Sequence, residues 1–224
     1  MSKLYIVSTP IGNLKDITLR ALDILREVDL VLAEDIRVTK KLFSHYDIKT
    51  ALFSFHKFSG KSTLKKIQDF LEQGKDIALV TDAGTPGISD PGQWLIAEIS
   101  RFRNVDISIL PVPGPSSLSA TLSVSDIDCS NFTFLGFPPH KKGRQTFFKK
   151  VAQSESPVIL FESPHRILKT LKELEIYAGD RYCNVGRELT KVYEEIFRGK
   201  ISEAQKHFVD EKQRGEFVLI VDKK

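Results

Sequence analysis

At 224 residues, 41% of them hydrophobic and 28% charged, the chain is long enough for one large or two small domains and too apolar to remain disordered. A net charge of +4 and a pI near 8.9 permit a nucleic-acid partner without requiring one. No apolar run approaches the roughly 18 residues of a membrane helix, Met1-Ser2-Lys3 leads into an apolar segment without signal-peptide character, and Cys129 and Cys183 stand alone. A cytoplasmic protein with neither a disulfide framework nor a metal site is therefore expected.

Leu4 to Val7 reads as a buried strand, ended by the turn-rich Ser8-Thr9-Pro10-Ile11-Gly12-Asn13-Leu14. Leu19, Leu22, Leu25 and Val28 then recur three apart behind Thr18, a good N-cap, which predicts an amphipathic helix. Asp29 to Ala33 is the second strand, and it ends in the charged Glu34-Asp35-Ile36-Arg37 before a basic helix carrying Lys40 and Lys41. A third strand, Ala51 to Phe55, precedes His56-Lys57-Phe58-Ser59-Gly60-Lys61-Ser62-Thr63. Gly60-Lys61-Ser62 has the form of a P-loop ending, but the glycine such a loop needs five positions earlier is Phe55 here. A helix start is expected instead, with Leu64, Ile67 and Leu71 on its buried face.

The most informative stretch follows the fourth strand, Ile77 to Val80. From Val80 to Gly92 the chain runs Val-Thr-Asp-Ala-Gly-Thr-Pro-Gly-Ile-Ser-Asp-Pro-Gly, three glycines and two prolines in thirteen residues. A parallel-sheet connection usually needs only about 2–6 residues. The surplus, at the carboxyl end of a strand where open α/β sheets bind ligands, marks a candidate site. A helix around Trp94, Ile96 and Ile99 and a strand Ile107 to Leu110 come next. Pro111-Val112-Pro113-Gly114-Pro115-Ser116-Ser117 then breaks the pattern and gives the best domain boundary, between 1–114 and 115–224. It also opens a helix, Leu118 to Val124, whose first backbone N–H groups can receive a ligand.

The second half begins with a strand, Phe132 to Leu135, followed by a segment from Phe137 to Lys150 that holds five Lys/Arg and no acid, interleaved with Phe137, Phe147 and Phe148. Basic groups for phosphates and aromatics for stacking suit single-stranded RNA. Val158 to Phe161 is a strand; Glu162-Ser163-Pro164-His165-Arg166 should start a helix with Ser163 as cap and Pro164 in the first turn, burying Ile167, Leu168, Leu171 and Leu174. Arg181 to Arg187 leads to Glu188-Leu189-Thr190-Lys191, a strand from Tyr193 to Arg198 runs on from it, and Glu216 to Val221 closes the chain as a strand. This half should be α+β with antiparallel pairs.

The loops around Ile11, Glu34, Gly84 and Ser116 are expected on one rim of a parallel sheet. With no Gly-x-Gly-x-x-Gly fingerprint after a strand and no P-loop, that rim gives a pyrophosphate little support, and a ligand held by backbone groups and small residues fits it better.

Leu4-Tyr5-Ile6-Val7-Ser8-Thr9-Pro10-Ile11-Gly12-Asn13-Leu14, Ala33-Glu34-Asp35, Asp82 to Gly92, Pro113-Gly114-Pro115-Ser116, Glu162-Ser163-Pro164-His165-Arg166 and Arg187-Glu188-Leu189-Thr190-Lys191 appear in that order along nearly the whole chain. Together they resemble the ribosomal-RNA-modifying branch of the tetrapyrrole methylase superfamily. The resemblance implies a class III methyltransferase, a mostly parallel N-terminal α/β domain plus a C-terminal α+β domain with a mixed sheet, usually a homodimer, with the cofactor between its domains. It further implies methyl transfer from S-adenosylmethionine to the 2′-hydroxyl of a cytidine in the decoding region of 16S ribosomal RNA. Cofactor positions carried over from the superfamily fall on Ile11, Ala83, Gly84, Thr85, Ile88, Ser116 and Ser117, completed by Phe161, Glu162 and Leu189.

A ribose hydroxyl is a poor nucleophile that must be aligned and relieved of its proton. Glu34, Asp35, Asp90 and Glu188 are the candidate carboxylates, and Lys191 could orient the hydroxyl. Arg37, Lys141, Lys142 and Arg144 are expected to hold RNA phosphates. Ile36 stands where the family motif has Thr, which leaves no hydroxyl at that position. A tetrapyrrole methyltransferase of the same fold and a non-catalytic RNA-binding relative are the alternatives; Thr9-Pro10-Ile11-Gly12-Asn13, in place of a Gly-Pro-Gly-Asp-type first loop, weighs against the former.

Overall fold

The computed structural model describes residues 1–56, 59–102 and 106–224, so Lys57 and Phe58 of the segment after the third strand lie outside the described residues. The chain divides into two compact units, Met1–Ser116 and Ser117–Lys224.

In the first unit the elements alternate: β1 (Ser2–Val7), α1 (Leu19–Glu27), β2 (Leu30–Ala33), α2 (Ile36–His45), β3 (Leu52–Ser54), α3 (Lys61–Glu72), β4 (Ile77–Val80), α4 (Gly92–Ile99) and β5 (Ile107–Val112). All five strands are parallel, in the order β3-β2-β4-β1-β5. The central strands are apolar at nearly every position because both faces are covered by helices. Val7, Val31, Ala33, Ala78 and Val80 meet Ala21, Leu22 and Leu25 of α1 and Leu42 and Phe43 of α2. On the opposite face Leu4, Ile6, Leu30, Leu32, Ile77 and Leu79 meet Ile67 and Leu71 of α3 and Leu95 and Ile99 of α4. Thr18 caps α1 by accepting from the Ala21 N–H at 3.1 Å, as its position predicts. Gly60 stands at the N-cap of α3, so Gly60-Lys61-Ser62 is a helix start.

The second unit contains α5 (Ser117–Ser123), β6 (Thr133–Gly136), α6 (Arg144–Gln153), β7 (Val158–Glu162), α7 (Ile167–Ala178), β8 (Tyr182–Arg187), β9 (Glu195–Lys200), α8 (Ile201–His207) and β10 (Phe217–Val221). Its sheet is mixed, in the order β6-β7-β10-β8-β9. The β6/β7 pair is parallel and the other three pairs are antiparallel. Alternate residues Val158 and Leu160, Cys183 and Val185, and Phe217, Leu219 and Val221 face Phe148 and Val151 of α6, Ile167, Leu171 and Leu174 of α7, and Ile201, Ala204 and Phe208 of α8.

Three details differ from the sequence reading. The helix expected from Ser163 begins at Ile167: the Ser163 hydroxyl is engaged by Glu162 and Arg166 Nε, at 3.3 and 3.2 Å, and residues 163–166 form a turn. The strand expected from Tyr193 starts at Glu195 and folds back antiparallel on β8 instead of continuing it. Helix α8, only seven residues long, was not anticipated, since Gly199-Lys200 hides the spacing of Ile201, Ala204 and Phe208.

The core of the second unit is sensitive to truncation. Phe148 is fully buried, so Phe148→Ala should cost about 3–5 kcal/mol in urea unfolding. Burial pushes the Cys183 thiol up to about 12, whereas Cys129 is half-buried. At pH 8 a thiol reagent should modify Cys129 first and reach Cys183 only on unfolding, with stopped-flow labelling as the check.

Candidate active site

The carboxyl ends of β1, β2, β4 and β5 are tied to one another by named hydrogen bonds. Thr9 N–H donates to the Gly84 carbonyl at 2.9 Å and Gly84 N–H donates back to Thr9 at 3.0 Å, joining the loops after β1 and β4. Beside this bridge the Ser8 and Thr85 hydroxyls lie 2.9 Å apart, and the Thr85 hydroxyl donates to the Pro115 carbonyl at 3.1 Å, bringing in the segment after β5. The loop after β2 enters through Thr81, whose hydroxyl donates to Glu34 at 2.7 Å, and through the Asp35 N–H, which donates to Asp82 Oδ1 at 3.0 Å.

Close approach at the rim requires glycine. Gly84 has φ +83°, and a Cβ there would sit 3.3 Å from Ile11 Cγ2; a Cβ on Gly114 would lie 2.9 Å from Ser8 Cβ. Ile11 is buried beneath this cradle, Thr85, Ile88 and Ser116 are half-buried, and Ala83 is exposed. A separate hollow of about 530 Å³ lies along α2 and β3, lined by residues such as Lys40, Phe43 and Thr50, and shares none of these groups.

The carboxylates expected at the rim have different roles. Asp90 Oδ1 accepts from the N–H groups of Gly87 at 2.8 Å and Gly92 at 2.7 Å, and Oδ2 accepts from Gly87 at 2.9 Å, so Asp90 shapes the glycine loop. Asp35 caps α2 through the Arg37 N–H at 2.8 Å and holds the Arg37 guanidinium at 2.6 Å. These hydrogen bonds from Arg37 hold the Asp35 carboxyl down to about 2, which makes it a weak proton acceptor. Arg37 remains highly exposed. Asp82 is solvent-exposed, and its carboxyl is pushed the other way, first by partial loss of hydration; the hydrogen bond from the Asp35 N–H opposes the shift, and the neighbouring Glu34 and Asp35 charges reinforce it. The sequence reading quoted Asp82 within its motif but gave it no role. Its place two residues after β4, facing the Glu34-Asp35 pair across adjacent parallel strands, was the signal.

In the second unit, Lys191 Nζ donates to Glu188 at 2.8 Å and to Glu216 at 3.0 Å, and Glu188 also accepts the Glu216 N–H at 2.9 Å. Burial works to raise the Glu188 pKa, but Lys191 and the Glu216 N–H outweigh it and leave it lowered. Burial likewise opposes the charge on Lys191, and the two carboxylates outweigh it and leave its pKa raised. Glu188 and Thr190 hold φ values of +49° and +65°, a strained loop fixed by this clamp.

Phe161 and Leu189 are buried. The Glu162 carboxylate is buried as well and accepts from Ser163 N–H at 2.7 Å and from Thr170 Oγ1 at 2.6 Å, with Arg166 at 2.8 Å, so its charge is consumed internally. Ser117, the first residue of α5, is half-buried, and its carbonyl accepts from the Thr121 hydroxyl at 2.8 Å. Lys141 and Lys142 are exposed. Arg144, expected on an RNA phosphate, is 5% exposed and its guanidinium is spent on Glu173, Thr170 and the Pro139 carbonyl, which corrects that assignment. Among the described residues no group of three or more His, Cys, Asp or Glu could hold a metal ion.

Comparison with known proteins places this geometry. A family profile described as tetrapyrrole (corrin/porphyrin) methylases matches residues 3–205. A Thermotoga maritima protein named ribosomal RNA small subunit methyltransferase I is 46% identical over 224 residues, 100% of both chains. Its namesake from Synechocystis is 43% identical over 99% of this chain and 79% of its own, and that from Bacillus subtilis 42% over 99% and 75%. Among solved structures, a diphthine synthase covers 99% of this chain and 90% of its own at TM-score 0.70 and 14% identity. A Thermus thermophilus uroporphyrin-III C-methyltransferase, complexed with S-adenyl homocysteine, covers 97% and 96% at TM-score 0.67 and 15% identity; both show the shared fold. The chain thus belongs to the tetrapyrrole methylase family and, within it, to the ribosomal RNA small subunit methyltransferase I group.

Proposed function

We propose that this protein transfers a methyl group from S-adenosylmethionine to the 2′-hydroxyl of a cytidine in the decoding region of 16S ribosomal RNA, acting as a homodimer. The observation that carries the reading is its likeness, over the full length of both chains, to the Thermotoga maritima relative named for small-subunit ribosomal RNA methylation.

The rim suits the cofactor chemically. Its polar groups are hydroxyls, backbone carbonyls and the carboxylates of Glu34, Asp35 and Asp82, an arrangement favourable to a cationic sulfonium and a ribose and unfavourable to a polyphosphate. Ile11, Ala83, Gly84, Thr85, Ile88 and Ser116 are assigned to the cofactor; within the second unit Ser117, Phe161, Glu162 and Leu189 are assigned to it on the family resemblance alone, Glu162 through its backbone because its carboxylate is consumed. When bound, the cofactor supplies a methyl group activated by the positive sulfur.

The chain must then align the hydroxyl and accept its proton. Asp82 is assigned as the acceptor, since Asp35 and Glu188 are held ionised by Arg37 and Lys191, whereas the Asp82 carboxylate has its proton affinity raised. Asp35 and Glu34 set the position of Asp82, and Lys191 with Glu188 positions the loop carrying Leu189. Arg37, Lys141 and Lys142 are assigned to RNA phosphates. The exposed basic run favours RNA over a tetrapyrrole acceptor.

Labelled S-adenosylmethionine incubated with small ribosomal subunits from cells lacking the modification should yield 2′-O-methylcytidine on nucleoside analysis. Label in a tetrapyrrole, or cofactor binding with no transfer to RNA, would overturn the reading. Asp82→Asn should lower kcat by about 10²- to 10⁴-fold while calorimetry shows cofactor affinity little changed. In the wild type, activity should fall as pH drops through an apparent pKa above the ordinary carboxylate value, because the raised pKa means that the acceptor is protonated first. Gly84→Val should instead weaken cofactor binding, since its Cβ enters the space of Ile11 and the left-handed backbone strains it.

A further inference from the structure

The segment from Phe137 to Lys142 is an exposed loop whose backbone is gripped from beneath. Gly136 and Gly143 bracket it with φ values of +63° and +84°. Between them Phe137 is half exposed and sets its ring edge-on to Phe161 at 5.5 Å, while His140, Lys141 and Lys142 project to solvent. Its two prolines have carbonyls with partners of an unusual kind. Arg166 Nη1 donates to the Pro138 carbonyl at 2.8 Å, and Arg144 Nη1 donates to the Pro139 carbonyl at 3.0 Å.

These two guanidiniums belong to one closed circuit. Arg144 Nη2 donates to the Thr170 hydroxyl at 2.8 Å, that hydroxyl donates to Glu162 Oε2 at 2.6 Å, and Glu162 Oε1 pairs with Arg166 Nη2 at 2.8 Å. Glu173 pairs with Arg144 Nη2 at 2.6 Å. A buried ion pair is costly unless its remaining donors and acceptors are satisfied, and among the described residues no buried side-chain polar atom is left without a partner. The circuit starts on one proline carbonyl and ends on the next. A buried arginine, Arg144, a largely covered one, Arg166, and two glutamates are thus spent on holding consecutive peptide carbonyls of a solvent-exposed basic loop, a demand the packing of the core does not make.

We propose that Arg144 and Arg166 are positioning residues that fix the 137–142 loop in the conformation that presents Lys141 and Lys142 to successive RNA phosphates, without touching RNA themselves. The inference rests on the RNA-binding reading of this loop given above. Fixing the loop in advance removes the ordering cost that flexible lysines meet on binding, so both contacts depend on the two guanidiniums.

The test is a double-mutant cycle on the full-length protein, with deproteinised 16S ribosomal RNA as the probe and filter binding across a salt series. Lys141→Gln/Lys142→Gln should weaken binding on the order of tenfold and reduce the salt slope by about two. Arg166→Lys keeps a charge beside Glu162 but loses the proline carbonyl. It should weaken RNA binding to a similar extent, reduce the slope by more than its own unchanged charge can explain, and add little in the lysine-deficient background. Amide exchange at residues 140–143 should quicken in the same variant, while cofactor affinity by calorimetry stays as in the wild type. Arg144→Lys is the second variant, so that a folding defect in one, seen by thermal melting, leaves the other to decide. An RNA affinity unchanged in a folded arginine variant, or a loss fully additive with the lysine changes, would overturn the proposal. If the lysine changes themselves leave RNA binding intact, the RNA reading of the loop falls first and the positioning role with it.

Discussion

The two backbone hydrogen bonds that Thr9 and Gly84 exchange hold the first unit's functional edge together. Parallel strands deliver all their carboxyl ends to one side of the sheet, but those ends are then free to splay. The Thr9–Gly84 bridge joins the loops of β1 and β4, two adjacent inner strands, and the Ser8–Thr85–Pro115 hydroxyl chain and the Thr81–Glu34 contact extend the connection to β5 and β2. The bridge depends on a left-handed Gly84 that packs against Ile11, so conformational freedom at one residue sets the spacing of the whole rim.

Electrostatics then separates the carboxylates within each unit. Asp35 and Glu188 are each adjacent to a cation and remain ionised, Asp90 is consumed by backbone N–H groups, and Asp82, facing Glu34 and Asp35, has its proton affinity raised. Four residues of one chemical type thereby acquire three roles. Partner geometry, and not residue identity, makes the division.

The second unit uses charge for shape. Lys191 bridges Glu188 and Glu216 across a strained loop, and Arg144 and Arg166 close a hydrogen-bonded circuit beneath the basic loop. In both places a cation that looks available for a ligand in the sequence is engaged inside the protein, leaving exposed neighbours such as Lys141 and Lys142 at the surface.

The sequence by itself determined the alternation of strands and helices in the first unit, the glycine-rich loop after Val80 and the order of motifs that marks the family, because apolar periodicity and Gly/Pro punctuation are local properties. It also placed Thr18 at a helix cap and ruled out a P-loop at Gly60 from neighbours a few residues away. Only the tertiary structure decided which polar side chains were free. Asp90 and Arg144 carry the residue types that bind ligands, yet their partners are loop amides in one case and Glu173, Thr170 and a proline carbonyl in the other. The same holds for Asp82, whose Oδ1 accepts the Asp35 N–H from the loop of the neighbouring strand and whose carboxyl is pushed up first by lost hydration and then by the Glu34 and Asp35 charges. The start of α7 likewise moved to Ile167, where the Ser163 hydroxyl is engaged by Glu162 and Arg166. Hydrogen-bond partners distant in sequence, and the burial that makes them obligatory, exist only once the chain has folded.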